Sequence, residues 1–215
     1  MRVCSKHGVH IISDEIYAMS VFDGTQFNSV LSFTKEEIPN PDLVHHLWGF
    51  SKDFGIAGFR VGAIHSLNQD LIRTIDAMGI FTSVSAHIQQ VCVKLLRDED
   101  WLENVYFPTN LKRLRESFGT VETIFQDLNV RIMAPSAGLF CWVDFSNYLR
   151  GSTAQDEMKL FREFFTEAKV YIVPGTEFGC STPGWFRIIF SVDPAALKVG
   201  LTRIRDLLIK INPQK

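Results

Sequence analysis

The sequence is poor in cysteine, in net charge and in long apolar runs, and each shortage removes a class of protein. Cys4, Cys92, Cys141 and Cys180 are the only cysteines in 215 residues, and no two form a CxxC pair. That spacing speaks against a disulfide framework or a zinc site and fits a reduced, cytoplasmic setting. Cys92 and Cys141 sit in apolar runs and read as small core residues. The net charge is −2, from 22 basic and 24 acidic side chains. No basic field is offered to nucleic acid, and no polybasic patch to a membrane surface. No apolar run approaches the roughly 20 residues of a transmembrane helix. The opening MRVCSKHGVHIISDEIY reaches Asp14 and Glu15 too early for a secretory signal. The six histidines show no metal-ligand spacing. His45 and His46, adjacent on an expected strand, face opposite ways, and His10 reads as a packed or edge residue.

What remains is globular: 46% hydrophobic residues and 12% aromatics, without repeats or low-complexity stretches. Short apolar runs predict strands at Val9–Ser13, Leu43–Trp48 and Phe59–Ile64. Thr34–Asp42, with two prolines, is a polar loop. Val84, Ile88, Val91 and Leu95 form the apolar face of a helix between Thr82 and Arg97. A second helical region runs from Trp101 towards Phe118 with Leu111, Leu114 and Phe118 on one side, and Pro108 bends or restarts it. Past Gly119 the pattern changes. LNVRIM, GLFCWVDF, VYIV and WFRIIFS predict strands, interrupted by a helix over Asp156–Lys169 on which Met158, Phe161 and Phe165 align. Pro194–Ile211 is amphipathic through Leu197, Leu201, Ile204, Leu208 and Ile211. The alternation predicts an α/β fold with a seam within residues 100–120.

Three clusters are chemically suggestive. In SDEIY, Asp14 and Tyr17 follow a strand's carboxyl end, where open α/β sheets bind ligands; taken alone, a strand-ending acid and an amphipathic tyrosine are the plainer reading. In FSKDFGIAGFRVG, Lys52 lies among glycines that let backbone approach a bound group, and Arg60 has a planar fork suited to phosphate. A glycine-rich turn with surface charges is the plainer alternative. In PGWFRIIF, Arg187 shares a strand face with Trp185 and Ile189. A guanidinium among apolar neighbours needs a carboxylate, either internal or from a substrate.

In this order, SDEIYAMSVFDGTQFNSV, FSKDFGIAGFRVGAIHS, SAGLFCWVDF, VYIVPGTEFG and PGWFRIIFS resemble the pyridoxal-phosphate-dependent aminotransferases of fold type I, class I/II. Within that group the match is to the 1-aminocyclopropane-1-carboxylate (ACC) synthase-like branch, from about Val9 to about Arg205. The resemblance implies the cofactor pyridoxal 5′-phosphate, an amino acid substrate and a homodimeric parent. It implies that Lys52 forms a Schiff base with the cofactor aldehyde and that Asp14 pairs with the pyridinium nitrogen. Tyr17 would then hydrogen-bond the ring's phenolic oxygen, Arg60 hold the phosphate, and Arg187 clamp the substrate's α-carboxylate. The chemistry agrees: the cofactor is an electron sink that a carboxylate at its nitrogen deepens, and an amine beside Cα moves the proton. The lysine is expected to be a buried amine.

Two departures accompany the resemblance. Relatives carry a phosphate-binding serine three residues before the lysine, where this chain has Gly49; Ser51 matches another family serine. The front half of the relatives is also missing, so the chain resembles a C-terminal half: residues 1–105 from the cofactor-binding large domain, and 106–215 the small domain with its connecting helix. Such a piece should expose a sheet edge and apolar surface. The function implied is transamination of an α-amino acid. ACC formation or C–S lyase-type elimination, and an inactive remnant serving as an interaction module, are the alternatives.

Overall fold

Three short strands frame the first part of the molecule. In this computed structural model, which describes residues 1–34 and 36–211, a first turn of helix, α1 (Arg2–Lys6), leads to β1 (Ile11–Asp14). β1 starts two residues later than its sequence suggests. Gly8 takes φ 65°, and Val9 N–H donates back to Cys4 O at 2.9 Å, so Val9 closes the helix instead of opening the strand. β2 (Val44–Gly49) pairs in parallel with β1, and β3 (Gly62–Ser66) pairs antiparallel with β2. β3 also starts late, because Ala57–Phe59 form a 3₁₀ turn that ends on Arg60 in the left-handed region. Between β2 and β3 lies α2 (Phe50–Asp53). Of the expected loop Thr34–Asp42, Lys35 lies outside the described residues.

α3 (Gln69–Thr82) is a helix that the apolar pattern did not announce. Asn68 caps it by accepting from Leu71 N–H at 2.9 Å, but none of its residues is buried, so no apolar stripe marks it. α4 (Ala86–Arg97) buries Cys92, whereas Val91 is 41% exposed. α5 (Glu99–Trp101), a π-helical turn (Leu102–Tyr106) and α6 (Phe107–Phe125) follow in continuous succession. The wide turn lies just before Pro108, whose missing N–H would interrupt an ordinary helical ladder. α6 runs past Gly119, where its sequence suggested an end.

The chain divides into two compact units, Met1–Pro108 and Thr109–Lys215. In the first, Phe50, Phe54, Cys92 and Leu102 form a buried cluster against which Trp48, Tyr106 and Phe107 pack. Among the described residues β1 pairs only with β2. Its Ile12 is exposed, as are Ile80 and Phe81 of α3, so a free sheet edge and apolar surface are both present. No helix among the described residues is long and apolar enough to cross a membrane.

The second unit is an antiparallel sheet of β4 (Arg131–Met133), β5 (Phe140–Asp144), β6 (Val173–Pro174) and β7 (Trp185–Ile189), in the order β4-β5-β7-β6. Two further helices, α7 (Ala154–Thr166) and α8 (Pro194–Ile211), complete it. α8 buries Leu197, Leu201, Ile204 and Leu208, the stripe its spacing predicts. α7 does not follow its expected stripe: Glu157, Leu160 and Phe164 are buried, and Phe165 is 55% exposed. Two apolar stripes lie one residue apart, and the correct one is masked by a glutamate, a residue type rarely buried. The fully buried Phe145 meets the rings of Phe125, Phe164 and Phe186 at 5.4 to 5.7 Å. Phe145→Ala is expected to destabilise this unit by about 3–5 kcal/mol, read as a lowered urea midpoint in a fluorescence or circular dichroism titration.

Candidate functional site

Strand register brings several of the singled-out residues to one edge of the first sheet. β1 and β2 run parallel with Asp14 opposite Leu47, so their carboxyl ends lie together. β2 ends at Gly49 and passes straight into α2, which carries Ser51 and Lys52. β3 sets out from the same edge: Gly62 stands opposite Gly49, and Phe50 N–H donates to Val61 O at 3.1 Å. Arg60 therefore arrives where Asp14 and Lys52 depart. Tyr17 sits in the turn after Asp14, closed by Ala18 N–H to Glu15 O and Ser20 N–H to Tyr17 O, both 3.0 Å.

Asp14 is exposed and accepts Ile16 N–H at 3.3 Å. Tyr17 and Ser51 are half-buried. Lys52 is exposed, contrary to the expectation of a buried amine, because a three-stranded sheet has too little structure at its edge to enclose a long side chain. No hydrogen bond or ion pair to the Lys52 side chain occurs among the described residues, although its carbonyl accepts Gly55 N–H at 3.1 Å. Arg60 has φ 55° and ψ 42°, a conformation that costs a non-glycine residue roughly 1–3 kcal/mol; its Nη1 donates to Ala57 O at 3.1 Å.

Arg187 belongs to the second unit. It stands on β7 opposite Trp142, with its Cζ 4.2 Å from the ring centre of Phe178 and 5.1 Å from that of Phe140. Its Nε is buried without a hydrogen-bond partner. Of the two partners left open for this arginine, an internal carboxylate is absent among the described residues.

Three buried carboxylates escaped the sequence reading. Asp53, with 0% exposure, accepts Ser20 Oγ–H at 2.7 Å on Oδ1, and Met19 N–H at 3.1 Å and Trp48 Nε1–H at 2.9 Å on Oδ2. Tyr106 donates its hydroxyl to Asp53 O at 3.1 Å; burial, then the Asp53 charge, pushes that phenol's pKa up. Glu15 accepts Val30 N–H at 2.7 Å and Ser13 Oγ–H at 2.9 Å and faces His46 Nε2 at 3.2 Å. Glu157, also 0% exposed, accepts Thr176 N–H at 3.0 Å, the Thr176 hydroxyl at 2.7 Å and Gly184 N–H. It thereby ties both ends of the loop that carries Phe178. In sequence, each is indistinguishable from a solvated surface acid.

Gly49 has a steric reason. A Cβ there would lie 2.9 Å from Val61 O and 3.2 Å from Ile16 Cδ1. Gly49→Ser, which restores the residue common in relatives, is therefore expected to lower stability by about 1–3 kcal/mol, seen as a lower melting temperature. The carboxyl of Glu15 tends upwards through burial, but hydrogen bonds from Ser29, Val30 and Ser13 and the nearby His46 outweigh this and hold it below the usual 4.5. Its stabilisation is complete above the unfolded-state value and is lost as pH falls through the lowered folded-state value. Glu15→Gln should flatten the acid limb of the stability–pH curve; an unchanged acid limb would contradict this.

Comparison with known proteins accords with the geometry. The model of the family "Aminotransferase class I and II" matches residues 1–204. The chain is 37% identical over 215 residues to 1-aminocyclopropane-1-carboxylate synthase-like protein 1 of Takifugu rubripes, covering 100% of this chain and 34% of that protein. It is 34% identical over 209 residues to a human protein named "Probable inactive 1-aminocyclopropane-1-carboxylate synthase-like protein 2", covering 97% of this chain and 36% of the relative. The chain thus spans 34–36% of the length of these two relatives. In fold it resembles the crystal structure of an aromatic aminotransferase from Pyrococcus horikoshii OT3, with a TM-score of 0.82 at 21% identity, over 97% of this chain and 53% of that one. The chain belongs to the aminotransferase class I and II family, with ACC synthase-like proteins among its relatives.

Proposed function

We propose that this chain is the C-terminal part of a pyridoxal-phosphate-dependent aminotransferase acting on α-amino acids. The observation that carries the reading is the register by which Asp14, Lys52 and Arg60 share one sheet edge, with no partner to the lysine side chain among the described residues. The donor set there suits the cofactor: a cation for its phosphate, a carboxylate for its ring nitrogen, a phenol for its ring oxygen and a free amine for its aldehyde. When bound, pyridoxal phosphate supplies an electron sink next to the substrate's Cα.

Arg60 grips the phosphate with its planar fork, and the Ser51 hydroxyl adds a donor. Asp14 keeps a proton on the ring nitrogen by its negative charge. Tyr17 donates to the ring oxygen. Lys52 would hold the cofactor through its aldehyde carbon and, when its amine is free, would move the Cα proton through Nζ. Arg187 binds the α-carboxylate, which fixes the orientation of the bonds at Cα; its unpaired Nε supports that role. In this reading residues 1–105 complete a large cofactor domain and 106–215 form a small domain. The parent is a cytoplasmic homodimer.

Transamination is the leading activity. ACC formation and C–S lyase-type elimination begin with the same proton removal and employ the same residues. A second reading, an inactive remnant acting as an interaction module, is favoured by the exposed Lys52, by Gly49 and by the relative named inactive. Treating the protein with pyridoxal phosphate, reducing with borohydride and mapping the modified peptides separates the two. The active reading expects the label concentrated on the Lys52 peptide and lost from it in Lys52→Ala; a label spread evenly over surface lysines contradicts it.

A further inference from the structure

We infer that Asp53 is a positioning residue: its buried carboxylate holds the Lys52 turn and the Tyr17 turn in fixed relation. The inference rests on the reading of Lys52 as the cofactor-bonding amine. α2 has only 4 residues, and its N-cap, Gly49, makes no side-chain cap bond. A helix that short does not hold itself together. Phe50 and Phe54 anchor one side of the turn in the aromatic cluster, and Asp53 supplies the polar anchor.

A carboxylate without solvent access is tolerated only where donors fill it. Here Ser20 Oγ–H serves one oxygen, and Met19 N–H and Trp48 Nε1–H serve the other. Met19 and Ser20 directly follow the segment bearing Tyr17, and Lys52 directly precedes Asp53. Beyond the β1–β2 pairing, one side chain therefore links the amine's turn to the phenol's turn. Trp48 ties the same group to β2, and Tyr106 holds its carbonyl from a separate segment. Replacing the carboxylate by an amide removes its charge: the amide oxygen still accepts from Met19 and Trp48 while its NH2 donates to Ser20 Oγ, so the three bonds survive only as weaker neutral ones. The two turns are then held together less firmly.

The test compares the full chain with Asp53→Asn, Ser20→Ala and Val30→Ala. Each protein is treated with pyridoxal phosphate and borohydride, and the label on Lys52 is measured relative to the mean of the other labelled lysines. This ratio does not require tight cofactor binding. Asp53→Asn is expected to lower it by roughly tenfold, the weakening that follows when three bonds to a charged group become bonds to a neutral one. Ser20→Ala should lower it by a smaller factor, and it decides the matter if Asp53→Asn does not fold. Val30→Ala opens a cavity in the same unit and should lower the melting temperature without changing the ratio. Wild-type ratios in both Asp53→Asn and Ser20→Ala would overturn the inference, as would an equal fall in Val30→Ala. A wild-type protein with no preference for Lys52 would overturn the cofactor reading, and this inference with it.

Discussion

At Gly49 two strands approach so closely that no side chain fits between them, and the arrangement of the first unit follows from that contact. The backbone of β2 lies against Val61 and Gly62, so the strand can neither widen nor slip where it becomes α2. Lys52 is thereby delivered a fixed distance along the chain beyond the sheet, and Arg60 returns to the same edge in a left-handed conformation that its neighbours impose. A residue with a Cβ at position 49 would push these two apart. A serine at this point would have to displace Val61 or the Ile16 side chain.

Each unit is held by aromatic packing and tied by buried acids. Phe50 and Phe54 in the first, and Phe145, Phe164 and Phe186 in the second, supply the apolar burial. Asp53, Glu15 and Glu157 do something different. Each accepts from donors on segments far apart in sequence and so fixes loops that the apolar core does not reach. Exposed ion pairs such as Arg73–Asp70 and Arg205–Asp206 stay largely hydrated and contribute little. In a buried carboxylate every lone pair left unfilled is penalised, so the geometry around it is strict. That strictness is useful beside residues meant to meet a ligand.

The exposure of Lys52, Asp14 and Arg60 and the free edge of β1 belong together. Three strands are enough to align these residues but not to enclose them. The chain spans 34–36% of the two relatives compared, and the sheet of its first unit has an unpaired β1 edge among the described residues. Arg187 is a similar case in the second unit: two rings flank its charge, and no carboxylate pairs with it among the described residues.

Much of this was legible in the residues. The alternation in Trp185–Ile189 and the stripe of α8 appear because strand and helix periods are local properties of the chain. The family resemblance likewise rests on short contiguous motifs around Asp14, Lys52 and Arg187. Other features were decided only by packing. α3 left no signal because it buries nothing, and α7 turned a different face inward because Glu157 found its donors at Thr176 and Gly184. β1 lost Val9 to a helix cap. Whether an acid is a solvated charge or the centre of a network depends on which donors reach it from distant segments. No local pattern records that, and so Asp53, one residue from the lysine, became visible only in three dimensions.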